Sequence, residues 1–200
     1  AMTGIKTIVL SMPIKQKSLQ YDLSLKHQEW LIKNFKNVEA HTLNLDKLFE
    51  TFENTLSNFN SEHGMANSRA RIRMATLYQV AAANKGIVVG TGNKVEDFGV
   101  GFYTKYGDGG VDISPIADCN KSEVWEIGKS LNILKEIIDA APTDGLWDDG
   151  RTDEGQLGLK YEELEEAMNN VNSINREKYE KIRKINLHKM EPIPVCKIPN

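Results

Sequence analysis

The 200-residue chain has only two cysteines, Cys119 and Cys196, far apart in sequence and in no metal-ligand spacing. A disulfide framework is excluded, and a reducing, cytoplasmic setting is the expectation. No run of about 18 apolar residues occurs, so no membrane-spanning helix is predicted. The start, "AMTGIKTIVLSMPIKQ", lacks the basic opening and long apolar core of a signal peptide. Basic excess is also missing: the net charge is −3 and the pI about 5.9, which argues against nucleic acid as the main partner. There is no internal repeat, no low-complexity tract and no linker that would divide the chain. What is present is ordinary globular composition, 40 % hydrophobic and 26 % charged, enough for one domain over residues 1–200.

Strand-like and helix-like segments alternate. Ile5 to Met12 reads as a buried strand, with Ile8, Val9 and Leu10 consecutive and apolar. Leu19 to Phe35 reads as an amphipathic helix carrying Leu23, Trp30, Leu31 and Phe35 toward the core. Val38 to Leu45 alternates as a second strand, 46–56 is weakly helical, and Asn58 to Gly64 is a polar loop expected to be mobile. A long helix then runs to a stop at Gly86, and "IVVGT" follows as a third strand. Asn120 and Glu123 form a capping-box pattern before "KSEVWEIGKSL". "LKEIIDA", Tyr161 to Asn169 and Ile174 to His188 are further helices, and the proline-rich tail "EPIPVCKIPN" is extended. This order indicates an α/β fold with a doubly wound parallel sheet.

Residues 90–110, "GTGNKVEDFGVGFYTKYGDGG", hold seven of the fifteen glycines together with Lys94, Glu96, Asp97, Lys105 and Asp108. Gly90 and Gly92 follow a strand, and Asp112 lies twenty residues beyond Gly92, which invites a dinucleotide-binding fingerprint. That reading fails. Val95 stands where the third glycine belongs, and five further glycines interrupt the required helix, each costing about 1 kcal/mol in a helix interior. The stretch is therefore expected to be a long loop beyond a strand end, where ligands of open α/β sheets bind. Glycine-rich turns present N–H groups to phosphate, Lys105 and Lys121 could neutralise it, and Glu96 and Asp112 need a metal or a sugar hydroxyl. Carboxylates beside lysines on a glycine frame suggest a Mg–nucleotide site; a solvated, turn-rich loop is the alternative.

With "NSRARIRM" before it and "APTDGLW" and "RTDEGQLG" after it, this stretch closely resembles ammonia-dependent NAD synthetase, as does the ending "HKMEPIPVC". The resemblance runs from about Thr7 to the C-terminus. It implies an adenine-nucleotide hydrolase-like fold, a homodimer, and synthesis of NAD from deamido-NAD, ATP and ammonia with Mg2+. One departure is large. The family's first strand ends in a Ser-Gly-Gly-x-Asp-Ser loop that holds the pyrophosphate of ATP, and no such triplet occurs here. The chain is thus expected to be N-terminally incomplete, and inactive as it stands. Glutamine-using relatives carry a separate glutaminase domain; here the synthetase-like part fills the chain, so free ammonia is the expected nitrogen donor.

By resemblance, Thr91, Lys121 and Thr143 contact ATP and Glu96 binds Mg2+. Arg71, Lys105, Asp112, His188 and Lys189 contact deamido-NAD. Each has a plainer reading. Thr91 and Thr143 would be strand-end and turn residues, Glu96 an exposed loop carboxylate, and Lys121 a solvated first-turn lysine opposing the helix dipole. Asp112 would brace a turn, and His188 and Lys189 would complement the last helix's dipole. Arg69, Arg71 and Arg73 cannot share one helical face, so some are merely paired or solvated. Two other functions compete: a GMP synthetase-like ATP pyrophosphatase, and a catalytically incompetent module that binds deamido-NAD or dimerises.

Overall fold

The computed structural model describes residues 1–147 and 149–198; the last two residues of the expected extended tail lie outside them. Strand β1 (Thr7–Ser11) leads into helix α1 (Ser18–Asn34) and returns as β2 (Val38–Thr42), paired parallel to β1 with Thr7 opposite Val38 and Ser11 opposite Thr42. The Gln28 side chain on α1 donates to His41 O at 3.0 Å, pinning the crossover helix to the sheet. Pairing continues past the strands, with Leu43 N–H donating to Ser11 O and Leu45 N–H to Pro13 O. This delivers Ile14, Leu45 and Phe49 into one small core, the last from α2 (Asp46–Thr55).

β1 is less buried than its apolar run suggests. Ile8, Val9 and Leu10 are half-buried and only Ser11 is buried, because among the described residues β1 pairs on one side alone. The expected third strand contracts to a single parallel bridge, Val89 with Ile113, extended by Gly90 N–H to Ile113 O at 2.7 Å. The expected loop at 58–64 is also shorter. Ser57–Phe59 forms one 3-10 turn, and α3 (Glu62–Ala83) already begins at Glu62, where the Ser61 hydroxyl accepts from Gly64 N–H at 3.3 Å.

The second half is helical: α4 (Lys121–Ser130), α5 (Lys135–Ile138), α6 (Asp153–Leu157), α7 (Tyr161–Asn169) and α8 (Arg176–Met190). Asn120 and Glu123 meet at the start of α4 as the pattern implies, the Glu123 carboxylate accepting Asn120 N–H at 2.7 Å. The larger core joins Val95, Val100, Leu157, Tyr161, Leu164 and Tyr179. Helices α7 and α8 thereby press against the glycine-rich segment and hold it in place.

Candidate active site

The glycine-rich stretch is not a continuous loop. Lys94–Val100 winds into a π-helical segment, capped by the Asn93 side chain, which accepts from Val95 N–H and Glu96 N–H at 3.1 Å each. Two local facts offset the intrinsic helix penalty of the glycines. Asn93 is buried and supplies a cap, and Gly101 sits at φ +66°, where it ends the turn in a conformation costly for any other residue. Burial of Val95 and Val100 then outweighs the roughly 1 kcal/mol penalty of Gly99.

This segment carries Glu96 into a cluster. Glu96 Oε1 accepts from Lys121 Nζ at 2.7 Å and from Tyr161 Oη at 2.5 Å, with both ends of the ion pair about one-sixth exposed. Lys121 also lies 4.8 Å from the centroid of the Tyr161 ring. Tyr161 Oη is 3.1 Å from Asp153 Oδ2, and Asp153 Oδ1 is buried with no hydrogen-bond partner. Burial, with Glu96 and Asp144 nearby, raises the Asp153 carboxyl to about 6. The Tyr161 hydroxyl is pushed well above its usual range by burial and the two carboxylates. Asp97, next in sequence, is likewise raised to about 6 by burial, Glu96 and Asp108. No group of three or more His, Cys, Asp or Glu that could hold a metal occurs among the described residues. One hard oxygen ligand still fits Mg2+, which commonly takes one or two carboxylates and completes its shell with phosphate and water.

Thr143 closes the turn beside this cluster, donating to Arg151 O at 3.0 Å and accepting from Gly145 N–H at 3.2 Å. Thr91 is exposed, two residues past the Val89 bridge.

A second frame joins α3, the glycine-rich stretch and the end of α8. Arg71 Nε donates to Lys105 O at 3.2 Å, and Lys105 Nζ to His188 O at 2.9 Å. Lys189 Nζ donates to Gly101 O and Tyr103 O, and burial lowers its pKa. Of the three arginines, Arg71 alone is exposed; Arg69 is buried over the Phe49 ring, and Arg73 donates to Met12 O and Gln16 Oε1. Asp112 accepts from Tyr78 Oη and Val88 N–H, so its carboxylate braces the bridge to α3. In the sequence Asp97 stands out only as one of the charges of the glycine-rich stretch, and nothing there assigns a role to Tyr103, Asp153 or Tyr161. "RTDEGQLG" was part of the pattern, but nothing in it shows that α6 and α7 fold back onto Glu96.

A family model described as NAD synthase matches residues 1–198. The chain belongs to the NAD synthase family. It is 40% identical over 139 residues to an NH3-dependent NAD+ synthetase of Carboxydothermus hydrogenoformans, covering 68% of this chain and 56% of that one. A second, from Alkaliphilus oremlandii, is 42% identical over 151 residues, covering 75% and 54%. The chain thus spans about half the length of these curated relatives. Among solved structures, one described as NMN synthetase from Francisella tularensis superposes with a TM-score of 0.87 at 33% identity, covering 100% of this chain and 81% of that one. The fold of this NAD synthase family member is α/β with a parallel sheet, consistent with the adenine-nucleotide hydrolase-like arrangement.

Asp153 gives the family member a specific pH signature. Its folded pKa, about 6, lies above the ordinary 3.8, so the protonated carboxyl favours the fold. That contribution is complete below pH 3.8 and lost as pH rises through about 6. Asp153→Asn removes the penalty and should stabilise the protein by about 2 kcal/mol at pH 8, fading to nothing near pH 4. The lost acid at the first turn of α6 offsets only about 0.3–1 kcal/mol of this. Urea unfolding at both pH values measures it; equal differences at the two would contradict a buried, charge-strained carboxylate.

Proposed function

We propose that the protein is a ligase that forms NAD from deamido-NAD, ATP and ammonia through an acyl-adenylate, in the cytoplasm and as a homodimer. The observation that carries this reading is the Glu96–Lys121 pair, set beside a separate frame of Arg71, Lys105 and Lys189 on an α/β fold. Membership of a family with NH3-dependent NAD+ synthetases supports it. No helix among the described residues is long and apolar enough to cross a membrane.

In this reading a nicotinate carboxylate oxygen attacks the α-phosphorus of ATP, forming an O–P bond as the bond to pyrophosphate breaks. The ammonia lone pair then attacks the activated carbonyl carbon, the C–O bond to AMP breaks, and the nitrogen releases a proton to solvent. No covalent protein nucleophile is needed. Thr91, Lys121 and Thr143 orient ATP, with Lys121 exchanging Glu96 for a phosphate oxygen. Arg71, Lys105, Asp112, His188 and Lys189 hold the nicotinate nucleotide. Mg2+, held by Glu96, would offset phosphate charge. Positioning and charge stabilisation carry the rate.

A second reading changes only the acceptor. The Francisella relative is described as an NMN synthetase and matches the whole of this chain, which favours testing nicotinate mononucleotide beside deamido-NAD. The natural protein, given ATP, Mg2+ and ammonium with each acceptor in turn, decides by product chromatography. Product from neither acceptor sinks the ligase reading.

Arg71→Ala should weaken binding of the nicotinate nucleotide roughly tenfold to a hundredfold and leave ATP unaffected, since a charge-assisted hydrogen bond contributes about 1.5–3 kcal/mol. Calorimetric titration with each ligand separately checks this; equal loss for both would point to a disturbed fold.

A further inference from the structure

Helix α7 lies outside every segment that the ligand reading uses, yet its first residue reaches the centre of the site. Tyr161 is fully buried, its ring meets Trp125 edge-on at 5.9 Å, and its hydroxyl lies between the Glu96 and Asp153 carboxylates. One turn further on, Glu165 accepts from Ser122 N–H at 2.9 Å and from the Ser122 hydroxyl at 2.7 Å. Ser122 adjoins Lys121 at the start of α4. Both members of the Glu96–Lys121 pair are therefore indexed to one rigid helix. The Lys121 and Tyr161 contacts both fall on Glu96 Oε1; among the described residues no protein partner is seen for Oε2. A carboxylate pinned through one oxygen presents the other in a fixed direction, as outer-shell partners do for ligating groups.

We propose that Tyr161 is a positioning residue that holds Glu96 with one carboxylate oxygen directed at the Mg2+–nucleotide, and that α7 is the element that sets this geometry. The inference rests on the reading of Glu96 as a cation ligand. The hydroxyl has one proton. At 2.5 Å the shorter contact is to Glu96, which makes Glu96 the acceptor and leaves Asp153 as the flank that closes the other side.

Tyr161→Phe removes the hydroxyl and keeps the ring. The probe is Mn2+ with α,β-methylene-ATP, its binding to the natural protein read from the free Mn2+ resonance. Tyr161→Phe should weaken Mn2+ roughly 10- to 100-fold and raise the Mg2+ concentration for half-maximal rate in step, with affinity for the nicotinate nucleotide unchanged. Trp125→Phe disturbs the same packing without touching the hydroxyl and should leave Mn2+ binding as in the wild type. Wild-type Mn2+ affinity in Tyr161→Phe, alongside a weakened Glu96→Gln, overturns the positioning role alone. Equal weakening in Tyr161→Phe and Trp125→Phe overturns it too, by showing that packing suffices. Wild-type affinity in Glu96→Gln removes the cation reading of Glu96, and the proposal falls with it.

Discussion

Glu96→Gln should lower the rate of pyrophosphate release by roughly 10²–10³ while leaving affinity for the nicotinate nucleotide within about twofold. Glutamine keeps the shape and an acceptor for Tyr161 but carries no charge, so what is lost is the anionic ligand at the site of charge reorganisation. The frame of Arg71, Lys105 and Lys189 is built from other elements and stays intact. Lys121 loses its partner in a site about one-sixth exposed, so some loss of stability accompanies the change. The measurement is pyrophosphate release at saturating substrate by a version of the protein that carries the family's phosphate loop, with thermal melts as the control. Wild-type release would remove Glu96 from the mechanism, and a matching fall in nucleotide binding would mean a collapsed site.

Gly92→Ala should reduce turnover by on the order of 10² and destabilise the fold by about 1–3 kcal/mol. A Cβ at Gly92 would lie 1.9 Å from Asp97 Oδ2 and 2.4 Å from its Cγ, so the carboxylate cannot stay where it is. Asp97 is on the π-helical segment beside Glu96, and Val95 and Val100 of that segment are fully buried. The effect on turnover requires that Asp97 cannot simply turn aside and that its displacement moves the segment carrying Glu96. Gly64→Ala is the contrast: its Cβ would meet the exposed Ser61 cap at 3.3 Å, a tight contact that a shift of a few tenths of an ångström relieves, and alanine suits a helix, so stability should change by no more than about 1 kcal/mol. Adding Asp97→Ala to Gly92→Ala should recover most of the lost stability. A double variant as unstable as the single one would place the damage elsewhere than at this contact.

The α/β class was legible in the letters alone, since an apolar run at 5–12, an amphipathic stretch at 19–35 and an alternating run at 38–45 bury their faces together as a parallel crossover, observed as β1, α1 and β2. The sequence likewise marked the start of α4, because Asn120 and Glu123 act over three residues, and the family, because several motifs recur in one order. It also implied that the three arginines of "NSRARIRM" diverge, which helical spacing alone requires. The remainder depended on contacts between segments far apart in the chain. Whether Lys94–Val100 coils or loops depended on a buried Asn93 and on the wall that α7 and α8 build against it, tens of residues away in the chain. Whether Ile87 to Thr91 forms a strand depended on its neighbours, which reduce it to one bridge at Val89. The Asp153–Tyr161–Glu96 chain was hidden for the same reason. A carboxylate and a phenol on two helices 8 residues apart look like surface and core until the fold sets the Tyr161 hydroxyl between Asp153 and Glu96, 65 residues before Tyr161. Local rules read propensity and capping, which act within one turn of helix; the chemistry of this site is set by long-range burial, which removes water from charges that the sequence shows only as separate letters.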